Sequence, residues 1–190
     1  MVTPNPLTPD DWLRAGVVAL RRGGVDAVRV EVLARDLGVS KGSFYWHYRD
    51  RRALLDALLA LWEEETTLLI RDAAAGPTPA DRLTGFFALV DASRAYPPDT
   101  AIFELARWSP ELMPRVTATE GRRITFFADQ FTALRLADVA ARHAAEVVYY
   151  ASLGWLEHAQ HSGRGVTGFP AFITAVITAV LEGVPATAVP

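Results

Sequence analysis

The chain has 190 residues, 51% hydrophobic and 22% charged: enough for one large domain, or a small head on a larger body, and too apolar for wholesale disorder. It contains no cysteine, which removes disulfide frameworks, thiolate nucleophiles and cysteine metal sites. The net charge of −3 argues against a nucleic-acid partner until it is divided: residues 1–52 carry nine Lys/Arg against six Asp/Glu, and the remainder ten against sixteen. Phosphate affinity follows local charge, so a basic head on an acidic body is compatible with DNA. No run approaches the roughly 18 apolar residues of a membrane span, and the opening MVTPNPLTPDDW lacks a basic-then-apolar signal pattern. The expectation is a cytoplasmic protein with no membrane partner.

Helix punctuation is legible, because Ser, Thr or Asp caps and first-turn prolines recur at the expected offsets. Thr8, Pro9 and Asp11 start a first helix, with Trp12, Ala15, Ala19 and Leu20 at helical spacing, and Gly23-Gly24 stops it. A short second helix runs from Val30 to Leu37, poorly capped because Arg29 offers no acceptor. Ser40 caps a third helix through Tyr48, and Asp50 caps a long fourth one to Ala74. After Gly76-Pro77-Thr78-Pro79, the pair Thr78 and Asp81 makes a capping box for a fifth helix to Ala95, ended by Tyr96-Pro97-Pro98. A short helix to Trp108 follows, then a Ser109-Pro110 start to a helical region reaching Leu134, which Pro114 is expected to kink. Helices over 136–161 and 169–182, joined by SGRGVTG at 162–168, close the chain. No segment has the strand period, so the fold class is all-α. The organisation expected is a three-helix head in residues 1–52 and, in residues 53–190, a connecting helix and a helical ligand-binding and dimerisation body.

Two short helices that cross closely need a small residue at the crossing, a turn residue tolerant of positive φ, and apolar contacts on both sides. Ala34, Gly38 and Phe44, with Leu33, Leu37 and Val39, supply these, a pattern shared by a helix-turn-helix and by other glycine-turned αα-hairpins. Ser40, Lys41 and Ser43 then lie at the start of the third helix, where backbone amides favour phosphate. Tyr45, His47 and Tyr48, followed by Arg49, Arg51 and Arg52, add donors and positive charge suited to phosphates and base edges. Phe44 and Trp46 are expected in the core of the head.

The segment VLARDLGVSKGSFYWHYRDRRALLDALL, residues 32–59, resembles the signature of TetR-family transcriptional regulators, notably at Tyr45-Trp46-His47 and from Arg52 to Leu58. The resemblance implies that Ser40, Lys41 and Ser43 approach bases or backbone, that Tyr45 and His47 contact DNA, and that Arg51 stands where the family usually has a phosphate-binding lysine. Gly42 replaces a side chain that many relatives carry, so recognition must come from its neighbours. The match covers about a quarter of the chain. It further implies a double-stranded DNA operator as partner, a small-molecule effector, and a homodimer paired through the last two long helices.

The body offers candidates for effector and dimer. Phe87, Phe103, Trp108, Phe127, Phe131, Tyr150 and Trp155, with Gln130 and His158, suit a mostly apolar pocket with a few polar groups, and Asp91 and Glu104 add acidic character favouring a cation. FPAFITAVITAVLE, residues 169–182, is apolar or small all round and must be covered on every side. The stripe Ala140, Ala144, Val147, Ala151 and Gly154 on the preceding helix invites close packing.

Enzymatic chemistry finds little support. His143-x-x-Glu146 and His158-x-x-His161 are isolated fragments of metal-ligand spacing, and no nucleotide loop or nucleophile elbow appears. No metal, cofactor or catalytic residue is therefore expected. The rival function is a helical protein-interaction module whose helix-turn-helix no longer binds DNA.

Overall fold

The computed structural model describes residues 7–92, 98–162 and 168–183. Among these residues the secondary structure is helical, with no strand. The helices are α1 (Pro9–Ala27), α2 (Val30–Asp36), α3 (Lys41–Tyr45), α4 (Arg51–Ala74), α5 (Pro79–Ala92), α6 (Asp99–Trp108), α7 (Met113–Ala133), α8 (Asp138–Ser162) and α9 (Phe169–Gly183), with a single 3₁₀ turn at Pro110–Leu112 before α7. No helix among the described residues is long and apolar enough to cross a membrane.

The chain forms two compact units. One comprises the described residues of Met1–Glu64 and Ala95–Met113; the other comprises those of Glu65–Arg94 and Pro114–Pro190.

The first unit is the head, together with the start of α4 and all of α6. Thr8 opens α1 through a reciprocal capping box: its hydroxyl accepts the Asp11 N–H, and Asp11 accepts the Thr8 N–H at 2.8 Å. Gly23 and Gly24 leave helical geometry, Gly24 at φ +63°, and one further turn carries α1 to Ala27. At this break the carboxylate of Glu104 on α6 accepts the Val25 N–H at 3.1 Å. A Cβ on Gly24 would stand 2.5 Å from the same carboxylate, so close approach and positive φ both require glycine here. Leu54, Leu58, Leu59 and Trp62 of α4 are buried in this unit, as are Ile102, Leu105 and Ala106 of α6.

The second unit packs around Phe86, Phe87, Phe126, Phe127, Phe131, Tyr149 and Phe169, all buried. Thr78 and Asp81 form the expected capping box at α5, the Asp81 N–H donating to the Thr78 hydroxyl at 3.1 Å. Pro114 is the second residue of α7, following the 3₁₀ turn at Pro110–Leu112, and there its missing N–H costs nothing. The α7 helix ends with Arg135 at φ +75°, its N–H donating to the Thr132 carbonyl and the Leu136 N–H to that of Phe131. On α9 the large residues Phe169, Ile173 and Ile177 recur every fourth position and are buried. Ala171, Thr174, Ala175, Thr178 and Ala179 form an exposed face of the single chain. The expected end of α5 near Ala95 and most of the 162–168 connection lie outside the described residues.

Candidate nucleic-acid interface

The interface is built by α2, the turn after it, and α3. Arg29 gives α2 no side-chain cap, as expected, and its guanidinium donates to the Asp26 carbonyl at 2.9 Å. The helix ends in a Schellman turn: Gly38 adopts φ +69°, its N–H donates to the Arg35 carbonyl at 3.1 Å, and the Val39 N–H reaches the Ala34 carbonyl at 2.9 Å. Buried Ala34 stands at the crossing.

Phe44 anchors α3. Its ring meets Trp12 edge-on at 5.2 Å and Tyr45 edge-on at 5.4 Å, and stacks on Tyr48 at 5.7 Å. Burying Phe44 turns the opposite face outward. Trp46 lies two residues on, about 200° around the helix, and is 87% exposed. The expectation that Trp46 shares the core with Phe44 is thereby corrected, because one helix face cannot take both. The expected third helix through Tyr48 is also shorter: α3 stops at Tyr45, and the N–H groups of His47 and Tyr48 both donate to the Phe44 carbonyl at 2.9 Å. Ser40 holds the cap position in extended conformation, but its hydroxyl makes no cap bond.

The candidate DNA-binding residues divide by what holds them. Ser40 and Lys41 are exposed, Ser43 and His47 half-buried, and Tyr45 is 59% exposed. Lys41 and Tyr45 are one turn apart and share a face of α3. Tyr48 is half-buried: its hydroxyl donates to the Pro9 carbonyl at 3.1 Å, and burial, with the Asp10 charge second, raises its phenol above the ordinary value. Arg51 is drawn into the fold, its guanidinium donating to the carbonyls of Val28 at 2.6 Å and Val25 at 2.7 Å. The Lys41 ammonium donates to Glu31 at 2.8 Å, Arg49 pairs with Asp50 at 3.0 Å, and Arg52 pairs with Glu111. Exposed pairs of this kind contribute at most about 1 kcal/mol, so they exchange readily for phosphate.

Two features of this surface escaped the sequence reading, the exposed Trp46 and the Glu31 partner of Lys41. Trp46 was detectable from its two-residue offset from Phe44. Glu31 was not, since its partner lies across the turn.

The nine candidate effector residues divide between the two units. Phe87, Phe127 and Phe131 are buried in the core of the second unit, with the Phe87 and Phe127 rings 5.1 Å apart. Gln130 is buried beside them and donates to the Phe126 carbonyl at 3.1 Å. Trp155 borders this core, 5.1 Å from Phe169, whereas Tyr150 and His158 are exposed. Phe103 and Trp108 belong to the first unit, where Phe103 packs edge-on to Trp62 at 6.3 Å and Trp108 is 71% exposed. Glu104 is in that unit too, on the Val25 N–H. Asp91 Oδ1 is buried and accepts no hydrogen bond among the described residues. No three His, Asp or Glu groups among the described residues converge as metal ligands. Glu146 pairs with Arg142 at 2.9 Å, and the side chain of His161 lies outside the described residues.

Residues 13–58 match the family described as bacterial regulatory proteins, tetR family. Over 52 residues the chain is 46% identical to the class A tetracycline repressor protein from transposon 1721 of Escherichia coli, a match spanning 27% of this chain and 24% of that protein. The chain thus spans about a quarter of the length of the curated relatives it matches. Across the whole fold it is similar to a TetR-family transcriptional regulator from Bordetella parapertussis, with TM-score 0.71 and 18% identity over 92% of this chain and 94% of that one. It is likewise similar to SmeT, the repressor of the Stenotrophomonas maltophilia multidrug efflux pump, with TM-score 0.66 and 16% identity over 97% and 96%.

Proposed function

We propose that the chain is a TetR-family regulator, a cytoplasmic, ligand-responsive repressor that binds a palindromic operator as a homodimer; the family match over residues 13–58 and the likeness of fold support this reading. Family and fold point to a regulator rather than an enzyme. The observation that carries the proposal is the head: a glycine-turned helix pair, anchored by Phe44, that leaves Lys41 and Tyr45 exposed on α3 and Trp46 exposed immediately after it. Ser40, Lys41, Ser43, Tyr45 and His47 are the proposed contacts, joined by Trp46. Tyr48 and Arg51 contribute first by building the head and approach the backbone only secondarily.

A homodimer is supported by α9, whose exposed Ala and Thr face is smooth. The Thr174 and Thr178 hydroxyls donate back to the Pro170 and Thr174 carbonyls at 2.9 Å, leaving methyl groups to meet another helix. On α8, Val147 is exposed in the single chain. Two heads on a two-fold axis match two half-sites. A small, mostly apolar or aromatic effector is supported by the aromatic second unit and by Asp91 Oδ1, a buried acceptor that a donor-bearing or cationic ligand would satisfy.

The test is binding to a palindrome-containing fragment upstream of the chain's own gene, across a salt series. Affinity that falls steeply with salt supports the proposal; absent or salt-insensitive binding to every genomic fragment supports a helical interaction module instead. A thermal-shift screen of apolar and cationic aromatics identifies the effector class, because a ligand that stabilises the protein and also releases DNA is the inducer.

A further inference from the structure

The ion pair between Glu31 and Lys41 bridges the first turn of α2 and the first residue of α3, with 2.8 Å between the Lys41 ammonium and Glu31 Oε1. Both side chains are exposed, and Lys41 shares its face of α3 with Tyr45. A donor and an acceptor are therefore held side by side at hydrogen-bond spacing on the surface that carries the proposed contacts. The major-groove edge of a G·C pair has the complementary layout: the guanine O6 acceptor and the cytosine N4 donor are Watson–Crick partners, about 2.9 Å apart.

We propose that Glu31 and Lys41 act together as a specificity determinant that reads one G·C pair in each half-site, Lys41 donating to guanine O6 and N7 while Glu31 accepts from cytosine N4. This rests on the DNA-binding reading above. An A·T pair also offers an adjacent donor and acceptor, but it gives the ammonium one acceptor, thymine O4, next to a methyl group, where guanine gives two. Glu31 has a second effect. Its charge repels phosphate and occupies Lys41 away from a matching site, so the pair holds down affinity for random sequence.

Duplexes with a randomised core are selected with the wild-type protein, with Glu31→Ala, with Lys41→Ala and with the charge-reversed Glu31→Lys/Lys41→Glu protein. The wild type is expected to enrich a symmetric site with a G·C pair at one position of each half-site. Each single variant loses about tenfold of the preference for that pair over A·T, other positions being unchanged. Glu31→Ala also binds random duplex more tightly, with a steeper salt dependence. The charge-reversed protein keeps the ion pair, so a pair that only ties α2 to α3 leaves the selected site as it was, whereas a reading pair changes the preferred base pair at that position alone. The same site from all four proteins, or an A·T pair at the position, overturns the inference and leaves DNA binding standing. Failure of the wild type to enrich any sequence overturns both.

Discussion

The Glu104 carboxylate accepts the Val25 N–H at 3.1 Å, across 79 residues of sequence, at the point where Gly24 breaks α1. A side chain on Gly24 would have to displace that carboxylate and adopt φ +63°. Gly24→Ala is expected to destabilise by about 2 kcal/mol in urea unfolding, through left-handed strain and the displaced acceptor. Glu104→Ala, which leaves the Val25 N–H without that acceptor, should cost about 1–3 kcal/mol. In the double variant the two losses should be less than additive, because they share one carboxylate.

Arg51 satisfies two carbonyls at the end of α1. Arg51→Ala should lower stability by about 1.5–3 kcal/mol, the range for hydrogen bonds to a charged donor. If its work is within the fold, the slope of log affinity against log salt stays as in the wild type, measured below the variant's unfolding temperature. A slope smaller by about one would assign Arg51 to a phosphate instead.

Trp46 makes the opposite prediction. Being 87% exposed, it can be changed to Ala with stability expected to stay within about 0.5 kcal/mol. Operator affinity should fall. Unchanged affinity would remove Trp46 from the interface.

Gly38 and Arg135 occupy the same position in two Schellman turns, at φ +69° and φ +75°. Only the arginine carries a Cβ there. Arg135→Gly is therefore expected to stabilise the protein by about 0.5–1 kcal/mol, read as a raised urea midpoint at constant m-value.

Three carboxyls of the head are held below their ordinary values: Asp11 by Thr8, Asp50 by the Ala53 N–H and then Arg49, and Glu31 by Lys41. A group whose folded pKa is depressed stabilises the fold fully above its unfolded value, and that contribution is lost as pH falls through the folded one. The thermal midpoint should therefore decline as pH drops below about 4. The double variant Asp11→Asn/Asp50→Asn keeps cap acceptors without the charge, and should lose less between neutral pH and pH 3 than the wild type. An equal loss would place the acid sensitivity elsewhere.

How far the sequence revealed the fold depended on distance along the chain. The Thr8–Asp11 and Thr78–Asp81 boxes, the Asp50 cap on the Ala53 N–H at 2.8 Å and the Gly38 turn are each made within a few residues, so local pattern exposes them. Glu104 on Val25, Lys41 on Glu31 and Arg51 on Val28 join separate elements, and nothing near either partner announces the other. The aromatics of the body failed for a related reason. Phe127 and Tyr149 are enclosed while Tyr150 is exposed, and it is packing rather than aromatic character that separates the two adjacent tyrosines. In α9, uniform apolarity concealed a division by size, with Phe169, Ile173 and Ile177 inward and Ala and Thr outward.

Lys41 is the chain's single lysine, and its side chain is 58% exposed. Guanidinium groups resist acylation at neutral pH, so an amine-directed reagent finds one side-chain target in the whole protein. A fluorophore, affinity handle or crosslinker attached there reports from the first residue of α3 with no cysteine to introduce. The same chemistry performed on protein already bound to duplex turns protection of that one amine into a footprint of the complex.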